Sequence, residues 1–377
     1  MLSIILKGTN SCNLACSYCS LGKKNSVVMT TKKKMYEIMK YSCELCMNLS
    51  EKEICFILHG GEPTLIDYSI YDYAIAKIKN EYKELVIEIL MQTNGYSLSE
   101  EWMDFFDRHN VSVGVSIDGV ASIHDTERNT INGKATFDVI QNNIKNLRKR
   151  GIKVSCLMVL TSNALKEKYD FINFYSKNKL HLKINPLLDY GEVYEHPELS
   201  LKSGQYANYL IGMYEYILSN DIEVCVSPID KIIQGILYND KKIKECSFNK
   251  NCNQHFLCID YKGDIYPCGK FSDMNKYCIG NISDKNYEVF NSLIISKLLD
   301  RRSKLKPEKC IQCKFVSLCN AGCNAEACIN GSLNQSPAMC NDYFKLFEYF
   351  TGRGLILLKE ELKRQRKKLK GLNNDGI

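Results

Sequence analysis

The sequence lacks the features of a membrane, secreted or nucleic-acid-binding protein. None of its apolar runs approaches the roughly 20 residues that a membrane-spanning helix requires. The apolar run over residues 2–6 is shorter than the about 7 to 15 residues of a secretory signal, and no cleavage site follows it. Lys and Arg number 50 against 43 Asp and Glu, an excess too small to indicate a nucleic-acid surface. We therefore expect a cytoplasmic protein whose partners include neither a membrane nor a nucleic acid.

The sequence also lacks internal repeats and low-complexity linkers, and its 45% apolar and 25% charged residues are typical of globular proteins. Its 377 residues suit one large domain or two ordinary ones. The abundant residue is cysteine, of which there are 19. Because cytoplasmic thiols are kept reduced, so many cysteines favour metal or redox sites over a disulfide framework.

Residues 1–225 alternate between strand-like and helical segments. The predicted strands are Ser3–Lys7, Ile54–Leu58, Val86–Met91, Val111–Ile117, Ile152–Leu160 and His181–Asn185. The predicted helices are Thr31–Cys46, Asp67–Tyr82, Ser99–His109, Thr136–Arg150, Ala164–Lys177 and Gly204–Leu218. This alternation predicts an α/β fold with a parallel sheet. Six such units indicate a partial (β/α)6 TIM-like barrel, with its chemistry at the carboxyl ends of the strands.

The alternation stops near residue 225, where cysteines become dense. Phe256–Asp260 and Asp264–Cys268 flank Gly263 and predict a hairpin, since glycine suits the left-handed turn position. We expect a small cysteine-rich domain over residues 226–350. The basic stretch Lys359–Lys370 predicts a solvated helix end or tail, within a C-terminal segment of residues 351–377.

Three cysteines follow the first predicted strand with the spacing Cys-x3-Cys-x2-Cys: Cys12, Cys16 and Cys19. Three thiolates on one loop can hold three corners of an iron–sulfur cube. A cluster held entirely by cysteine takes four thiolates, so three leave one iron open for another ligand. The alternatives are a zinc loop, although structural zinc takes four closed ligands, or a chance grouping of buried cysteines.

This loop resembles the cluster-binding loop of radical S-adenosylmethionine (SAM) enzymes. The resemblance implies a [4Fe–4S] cluster whose open iron chelates SAM. It further implies cleavage of SAM to a 5′-deoxyadenosyl radical, which abstracts hydrogen from an unreactive carbon. The stretch His59-Gly60-Gly61-Glu62-Pro63, after the second strand, resembles the family's contact to the SAM methionine amine.

Other residues near the predicted strand ends also match SAM contacts of the family. Tyr18 resembles the aromatic residue beside the adenine, and Leu187 an apolar adenine contact. Each of three of these residues is equally consistent with a purely structural role: Ser116 as a hydroxyl in a turn, Arg128 as a cation at the surface, and Leu187 as a leucine in the core. The candidate SAM contacts are Tyr18, Gly60, Gly61, Glu62, Asn94, Ser116, Arg128 and Leu187.

A second group of cysteines lies in the C-terminal region: Cys252, Cys258, Cys268, Cys310, Cys313, Cys319, Cys323 and Cys340. Its Cys-x2-Cys pair, Cys310 and Cys313, cannot by itself distinguish zinc from iron. After the first motif, the pattern resembles the SPASM domain, which carries two auxiliary [4Fe–4S] clusters, making three clusters in all. The resemblance implies an inner cluster held by Cys252, Cys258, Cys268 and Cys323, and an outer cluster held by Cys310, Cys313, Cys319 and Cys340. We expect these clusters to carry electrons and the domain to need iron in order to fold. Cys246, Cys278 and Cys328 remain unassigned.

Two groups of enzymes with this layout modify peptides or proteins. Tyr266-Pro267-Cys268 resembles anaerobic sulfatase-maturing enzymes, which oxidise Cys or Ser to formylglycine. Those enzymes place an aspartate base directly after that cysteine, where this chain has Gly269, and glutamine where it has His59. Asp273 is a candidate catalytic base only if the loop curls back.

The stretch Tyr266–Phe271 also resembles maturases of ribosomally made peptides (RiPPs), in which Pro-Cys-Gly-Arg-Phe recurs; here Lys270 replaces the arginine. Such enzymes install thioether or carbon–carbon cross-links, or epimerise residues. We favour a cross-linking peptide maturase. The expected partners are a peptide or protein substrate, a reductant such as flavodoxin or ferredoxin, and a separate leader-recognition protein unless the barrel reads the leader itself. A non-catalytic zinc module is the remaining alternative, against which the open three-cysteine loop argues.

Overall fold

The computed structural model describes residues 1–22, 28–237, 243 and 245–372, with side chains only as far as Arg364 in the last helix. Its strands are β1 Leu2–Lys7, β2 Glu53–His59, β3 Val86–Thr93, β4 Ser112–Ser116, β5 Val154–Leu160, β6 His181–Pro186, β7 Val226–Ser227, β8 Phe256–Asp260, β9 Asp264–Tyr266 and β10 Gly280–Asn281. They form a ten-stranded sheet in the order β10-β9-β8-β1-β2-β3-β4-β5-β6-β7.

Helices connect and cover the strands. They are α1 Lys32–Asn48, α2 Tyr68–Glu81, α3 Glu100–His109, α4 Ala121–Glu127, α5 Phe137–Lys149, α6 Ile172–Lys177, α7 Gln205–Ser219, α8 Ile229–Leu237, α9 Gly269–Asp273, α10 Leu293–Ser303, α11 Glu308–Ile311, α12 Val316–Cys319, α13 Asn324–Ile329, α14 Cys340–Thr351 and α15 Arg353–Leu372. Among the described residues no helix is long and apolar enough to cross a membrane.

The predicted parallel sheet is confirmed. Strands β1 to β6 are neighbours in chain order and each pair is parallel. Alternating apolar residues of these strands, such as Ile4, Phe56 and Val113, are buried in the core. Helical spacing buries the matching faces, as in α5, where Ile140, Ile144 and Leu147 are fully buried. Because parallel strands place their carboxyl ends at one edge, the loops after β1 to β6 converge there.

The single helix predicted over Ala164–Lys177 is wrong in extent. This segment forms two 3₁₀ turns, Asn163–Lys166 and Tyr169–Phe171, before α6 begins. The Asn163 side chain donates a hydrogen bond to the Glu127 carboxylate at 3.1 Å, which ties the first turn to α4. Between the two turns Glu167 is extended, so no continuous helix forms.

The predicted hairpin is confirmed as β8 and β9, joined through Gly263 at a φ of +94°. Strand β8 also pairs in parallel with β1, so the hairpin extends the barrel sheet beyond its first strand. On the other edge β7 pairs with β6, which places Val226 and Ser227 in the same sheet. The cysteine-rich region is therefore anchored to the barrel by backbone hydrogen bonds.

The C-terminal helices pack back onto the barrel. The Asp342 carboxylate at the start of α14 accepts hydrogen bonds from the backbone N–H groups of Gly204 and Ala207, each at 2.9 Å, and so caps α7. The predicted basic stretch Lys359–Lys370 lies in α15. Its side chains after residue 364 and the last residues, 373–377, lie outside the described residues.

Candidate active site

A cavity of about 440 Å³ opens at the carboxyl ends of the barrel strands. Its wall combines side chains from the ends of β1 to β6 with others from the cysteine-rich region. Among the residues predicted from the sequence, the lining includes Cys12, Cys16, Tyr18, Cys19, Gly60, Gly61, Glu62, Asn94, Ser116, Arg128, Leu187 and Asp273. The structure thus brings all the candidate SAM contacts to one place.

The three-cysteine loop forms one wall of this cavity. Backbone hydrogen bonds from Ala15 to Asn129 and from Ser17 to Glu127, at 2.9 and 3.0 Å, fix the loop. Burial raises the pKa of Cys12 to about 11 and that of Cys16 to about 12 in the absence of a cation. Three converging thiols that are costly to ionise alone fit a site completed by iron.

Gly60 and Gly61 let the end of β2 lie directly against this loop. A Cβ atom at Gly60 would lie 2.3 Å from the Thr9 carbonyl oxygen, and one at Gly61 would lie 2.1 Å from that of Ser11. The Gly61 N–H donates to the Thr9 carbonyl at 2.9 Å. These glycines therefore position the cysteine loop, a role beyond the close approach to a ligand expected from the sequence.

The Glu62 carboxylate is 1% exposed and held by four donors. Thr64 donates to it through its N–H and hydroxyl at 3.0 and 2.7 Å, Thr93 through its hydroxyl at 2.6 Å, and Asn94 through its N–H at 2.7 Å. Burial raises the pKa of Glu62, and these hydrogen bonds oppose that rise. The carboxylate is thus fixed in place at the cavity wall, beside Cys12, whose Sγ lies 3.7 Å from the Asn94 side-chain nitrogen.

Arg128 is buried, and its side chain contacts Tyr18 in the cavity wall and Asp118 behind it. Its Nη1 donates to the Tyr18 hydroxyl at 2.8 Å, and that hydroxyl donates to the Asp118 carboxylate. The Arg128 Nε lies 3.9 Å from Asp118, which neutralises part of its charge. Tyr18 and Leu187 also pack together in a small apolar cluster. This wall places a cation beside a flat apolar surface. The cation suits a carboxylate of a ligand, and the apolar surface suits the aromatic ring of a nucleobase.

Asp273 reaches the cavity because the chain after Cys268 forms α9, which returns the side chain of its last residue to the wall. Its carboxylate pairs with the Lys7 ammonium and accepts a hydrogen bond from Ser20 Oγ at 3.0 Å. Lys7 also donates to the Gly269 carbonyl at 2.9 Å. The loop after Cys268 therefore curls back, which is the condition under which Asp273 is a candidate base. Sequence reasoning missed Lys7 and Ser20.

The four cysteines predicted for the outer cluster line a second cavity of about 300 Å³, together with Phe315, Phe344 and Phe347. Three of them, Cys310, Cys313 and Cys340, influence the ionisation of Cys319. Burial raises the pKa of Cys319, as it does for Cys310. Among the described residues, no group of three or more His, Cys, Asp or Glu side chains has the geometry of a single metal-ion site.

Cys246, unassigned from the sequence, interacts with three of the cysteines predicted for the inner cluster. It shares a side-chain hydrogen bond with Cys252 and influences the ionisation of Cys268 and Cys323. Cys258 is fully buried in an apolar cluster that also contains Cys323, and the groups that influence its ionisation are Lys7, Ser272 and two aspartates. Cys246 precedes Cys252 by the same six residues that separate Cys252 from Cys258, so spacing could not choose between them.

Comparisons with known proteins agree with this geometry. Residues 6–174 match the model of the Radical SAM superfamily. A cysteine-type anaerobic sulfatase-maturating enzyme of Clostridium novyi is 29% identical over 361 residues, covering 92% of this chain and 94% of that protein. A serine-type anaerobic sulfatase-maturating enzyme of Bacteroides thetaiotaomicron is 24% identical over 379 residues, covering 94% and 90%.

Solved structures show the same fold. Native anSMEcpe with bound AdoMet and Cp18Cys peptide matches with a TM-score of 0.81 at 24% identity, covering 95% of this chain and 99% of that one. Streptococcus suis SuiB bound to precursor peptide SuiA matches with a TM-score of 0.65 at 16% identity, covering 90% and 75%.

The three-cysteine loop at the end of β1, the cavity it faces and the family match define the class: residues 6–174 form a radical SAM domain, and the chain is an enzyme. SAM and a [4Fe–4S] cluster are its cofactors. More particularly, it is homologous along most of its length to anaerobic sulfatase-maturating enzymes, and it shares its fold with both anSMEcpe and SuiB.

Proposed function

We propose that this enzyme oxidises a side chain of a peptide substrate and installs a carbon–carbon or thioether cross-link. When bound, the cluster and SAM supply the 5′-deoxyadenosyl radical that abstracts a substrate hydrogen. The residues of the chain bind SAM, hold the substrate in the 440 Å³ cavity and manage protons there.

Cys12, Cys16 and Cys19 are the proposed ligands of the SAM-binding cluster. Glu62 is the proposed partner of the SAM ammonium group, because a fixed carboxylate at the cavity wall is the complement of a cation. Arg128, Asn94 and Ser116 would meet the polar groups of SAM. Tyr18 and Leu187 would meet the adenine ring, with Gly60 and Gly61 setting the loop between them.

For the auxiliary clusters we propose an outer set of Cys310, Cys313, Cys319 and Cys340. The proposed inner set is Cys246, Cys252, Cys268 and Cys323, in which Cys246 takes the place first given to Cys258. Four cysteines for each cluster leave no open iron, so both clusters are proposed to carry electrons away from the oxidised substrate. An external reductant such as flavodoxin or ferredoxin and a leader-recognition protein remain part of this proposal.

The observation that carries the cross-linking reaction is the environment of the candidate base. The position after Cys268 is Gly269, and the Asp273 carboxylate is already bound by Lys7 and Ser20. A thioether-forming thiol ionises near pH 8.5, so it needs little help from a base. Formylglycine formation from serine, by contrast, requires a base that is free to take a hydroxyl proton.

Formylglycine formation is the second candidate, and two observations favour it. Two sulfatase-maturating enzymes cover 92% and 94% of the chain. Helix α9 also brings Asp273 to the cavity, where its carboxylate is placed to act as a base.

Anaerobic reactions followed by mass spectrometry of the peptides distinguish cross-linking from formylglycine formation. The iron-reconstituted enzyme is incubated with reductant and SAM, in parallel with a cysteine or serine sulfatase-type peptide and with precursor peptides encoded beside its gene. A precursor that loses two hydrogens and gains a new bond supports the cross-link. Formylglycine in the sulfatase-type peptide replaces that proposal with the second candidate. No product from any peptide, despite release of 5′-deoxyadenosine, rejects both for the substrates tested.

A further inference from the structure

Two consecutive arginines near the end of α10 are buried without a counter-ion. Arg301 is 3% exposed and Arg302 is fully buried. Within the described part of the chain, neither guanidinium takes part in an ion pair. Lys304 is exposed and lies two positions after Arg302, and its ammonium group does pair with the Asp300 carboxylate at 3.5 Å.

The partners of both guanidinium groups are neutral. Arg302 donates to the carbonyls of Ser247 and Gly322, each at 2.6 Å, and to that of Asn249. Its Nε is buried with no partner among the described residues. Arg301 donates to the carbonyls of Leu333, Gln335 and Gly322 and to the Asn324 side chain, at 2.7 to 3.3 Å.

Two adjacent buried guanidinium groups are unfavourable when all their hydrogen-bond partners are neutral. Removing a charge from water carries an effective penalty of several kcal/mol per ion unless an opposite charge compensates it. The two like charges also oppose each other: burial first, and then Arg302, lowers the pKa of Arg301. The fold therefore requires negative charge near this pair that the carboxylates do not provide.

Cysteines of both proposed sets flank the carbonyls that bind this pair. Arg302 donates to the Ser247 carbonyl, which directly follows Cys246 of the inner set. The Gly322 carbonyl, bound by both arginines, lies between Cys319 and Cys323 in the chain. The arginine pair thus sits at the junction of the two sets.

We infer that Arg301 and Arg302 are the counter-charges of the two auxiliary clusters and raise their reduction potentials. This inference rests on the ligand sets of the proposed function. Four thiolates outweigh the positive charge of an iron–sulfur core, so each cluster is a buried anion. One-electron reduction makes it more negative, and a neighbouring cation stabilises the reduced form more than the oxidised form.

The test compares Arg302→Gln, which removes the charge, with Arg302→Lys, which keeps it but loses the forked geometry. Lys304→Gln is the matched control, because it removes one positive charge just after the same helix, at a side chain that is 80% exposed. Iron content is measured on each reconstituted full chain, followed by a redox titration monitored by electron paramagnetic resonance. We expect the auxiliary potentials to fall in Arg302→Gln and to stay near wild type in Arg302→Lys and Lys304→Gln.

Unchanged potentials in an iron-replete Arg302→Gln protein overturn the inference and leave the ligand sets standing. If Arg302→Gln loads too little auxiliary iron to titrate, iron content decides: retention in Arg302→Lys supports the counter-charge, and equal loss in both overturns it in favour of a backbone clamp. A wild-type chain with iron for one cluster, instead of about 12 atoms for three, overturns the ligand sets and the inference together.

Discussion

The barrel and the cysteine-rich region are stabilised by different means. In the barrel, strands of five to eight residues bury continuous apolar side chains such as Leu2, Phe56 and Leu182. Between residues 246 and 340 the helices α11, α12 and α13 have four to six residues, too few to be stable alone. Their surroundings bury charged groups, among them Arg302 and Glu326. The first region is held by its own core, and we propose that the second encloses clusters that the chain does not supply.

The largest expected effect comes from the loop that joins the barrel to its cofactor. Cys16→Ala removes one of three thiolates from the proposed SAM-binding cluster, so we expect complete loss of SAM cleavage while the barrel still folds. Release of 5′-deoxyadenosine, measured by chromatography, checks this. Cys225→Ala, at an exposed cysteine outside the cavity, serves as the control. Substantial cleavage by Cys16→Ala would show that the loop does not hold the cluster.

Removing iron should affect the two regions differently. After chelation we expect amides in α11, α12 and α13 to lose protection from hydrogen exchange, because folding there depends on the metal. Amides of β1 to β5 should keep theirs, since their apolar core is intact. Hydrogen exchange read by mass spectrometry reports both regions in one sample. Equal loss in both regions would mean that the sheet also depends on iron.

Two cysteine substitutions sharpen the boundary between ligand and core. Cys246→Ala should remove about four iron atoms, one [4Fe–4S] cluster, from the reconstituted chain. Cys258→Ala should keep that iron and lower the free energy of unfolding by about 1–2 kcal/mol, because it leaves a small cavity in an apolar cluster. Iron analysis and denaturant unfolding measure the two effects. The reverse pattern would restore Cys258 to the inner set.

The smallest of these effects tests the rigid barrel side of the cavity. Glu62→Gln removes a fixed charge but keeps the shape, so we expect SAM to bind about 10- to 100-fold more weakly, the value of one hydrogen bond to a charged group. Equilibrium binding of SAM to the reconstituted enzyme gives the dissociation constant. Glu53→Gln, at the exposed start of β2, the strand that Glu62 follows, is the matched control. An unchanged constant would remove Glu62 from the SAM site.

The two regions also differed in how far their sequences could be interpreted. All six barrel strands were predicted within two residues at each end, because each combines an apolar run with a helical neighbour of clear period. The helix predicted over residues 164–177 was wrong in extent. Asn163, just before this segment, contacts Glu127, which is 36 positions away in the chain, so no local pattern indicates this contact. In the cysteine-rich region, the family resemblance implied both ligand sets, which stay proposals, and spacing could not separate Cys246 from Cys258.

The sequence by itself determined the parallel sheet, the three-cysteine loop and its place at the end of β1, because apolar periodicity and close cysteine spacing are local properties of the chain. Only the tertiary structure decided which cysteines of the inner group meet, that Asp273 returns to the cavity to pair with Lys7, and that Arg301 and Arg302 lie between the two cysteine sets. The contacts of Asp273, Arg301 and Arg302 join residues from 20 to more than 260 positions apart. Their geometry depends on how the sheet, the hairpin and the short helices pack, which no local pattern contains.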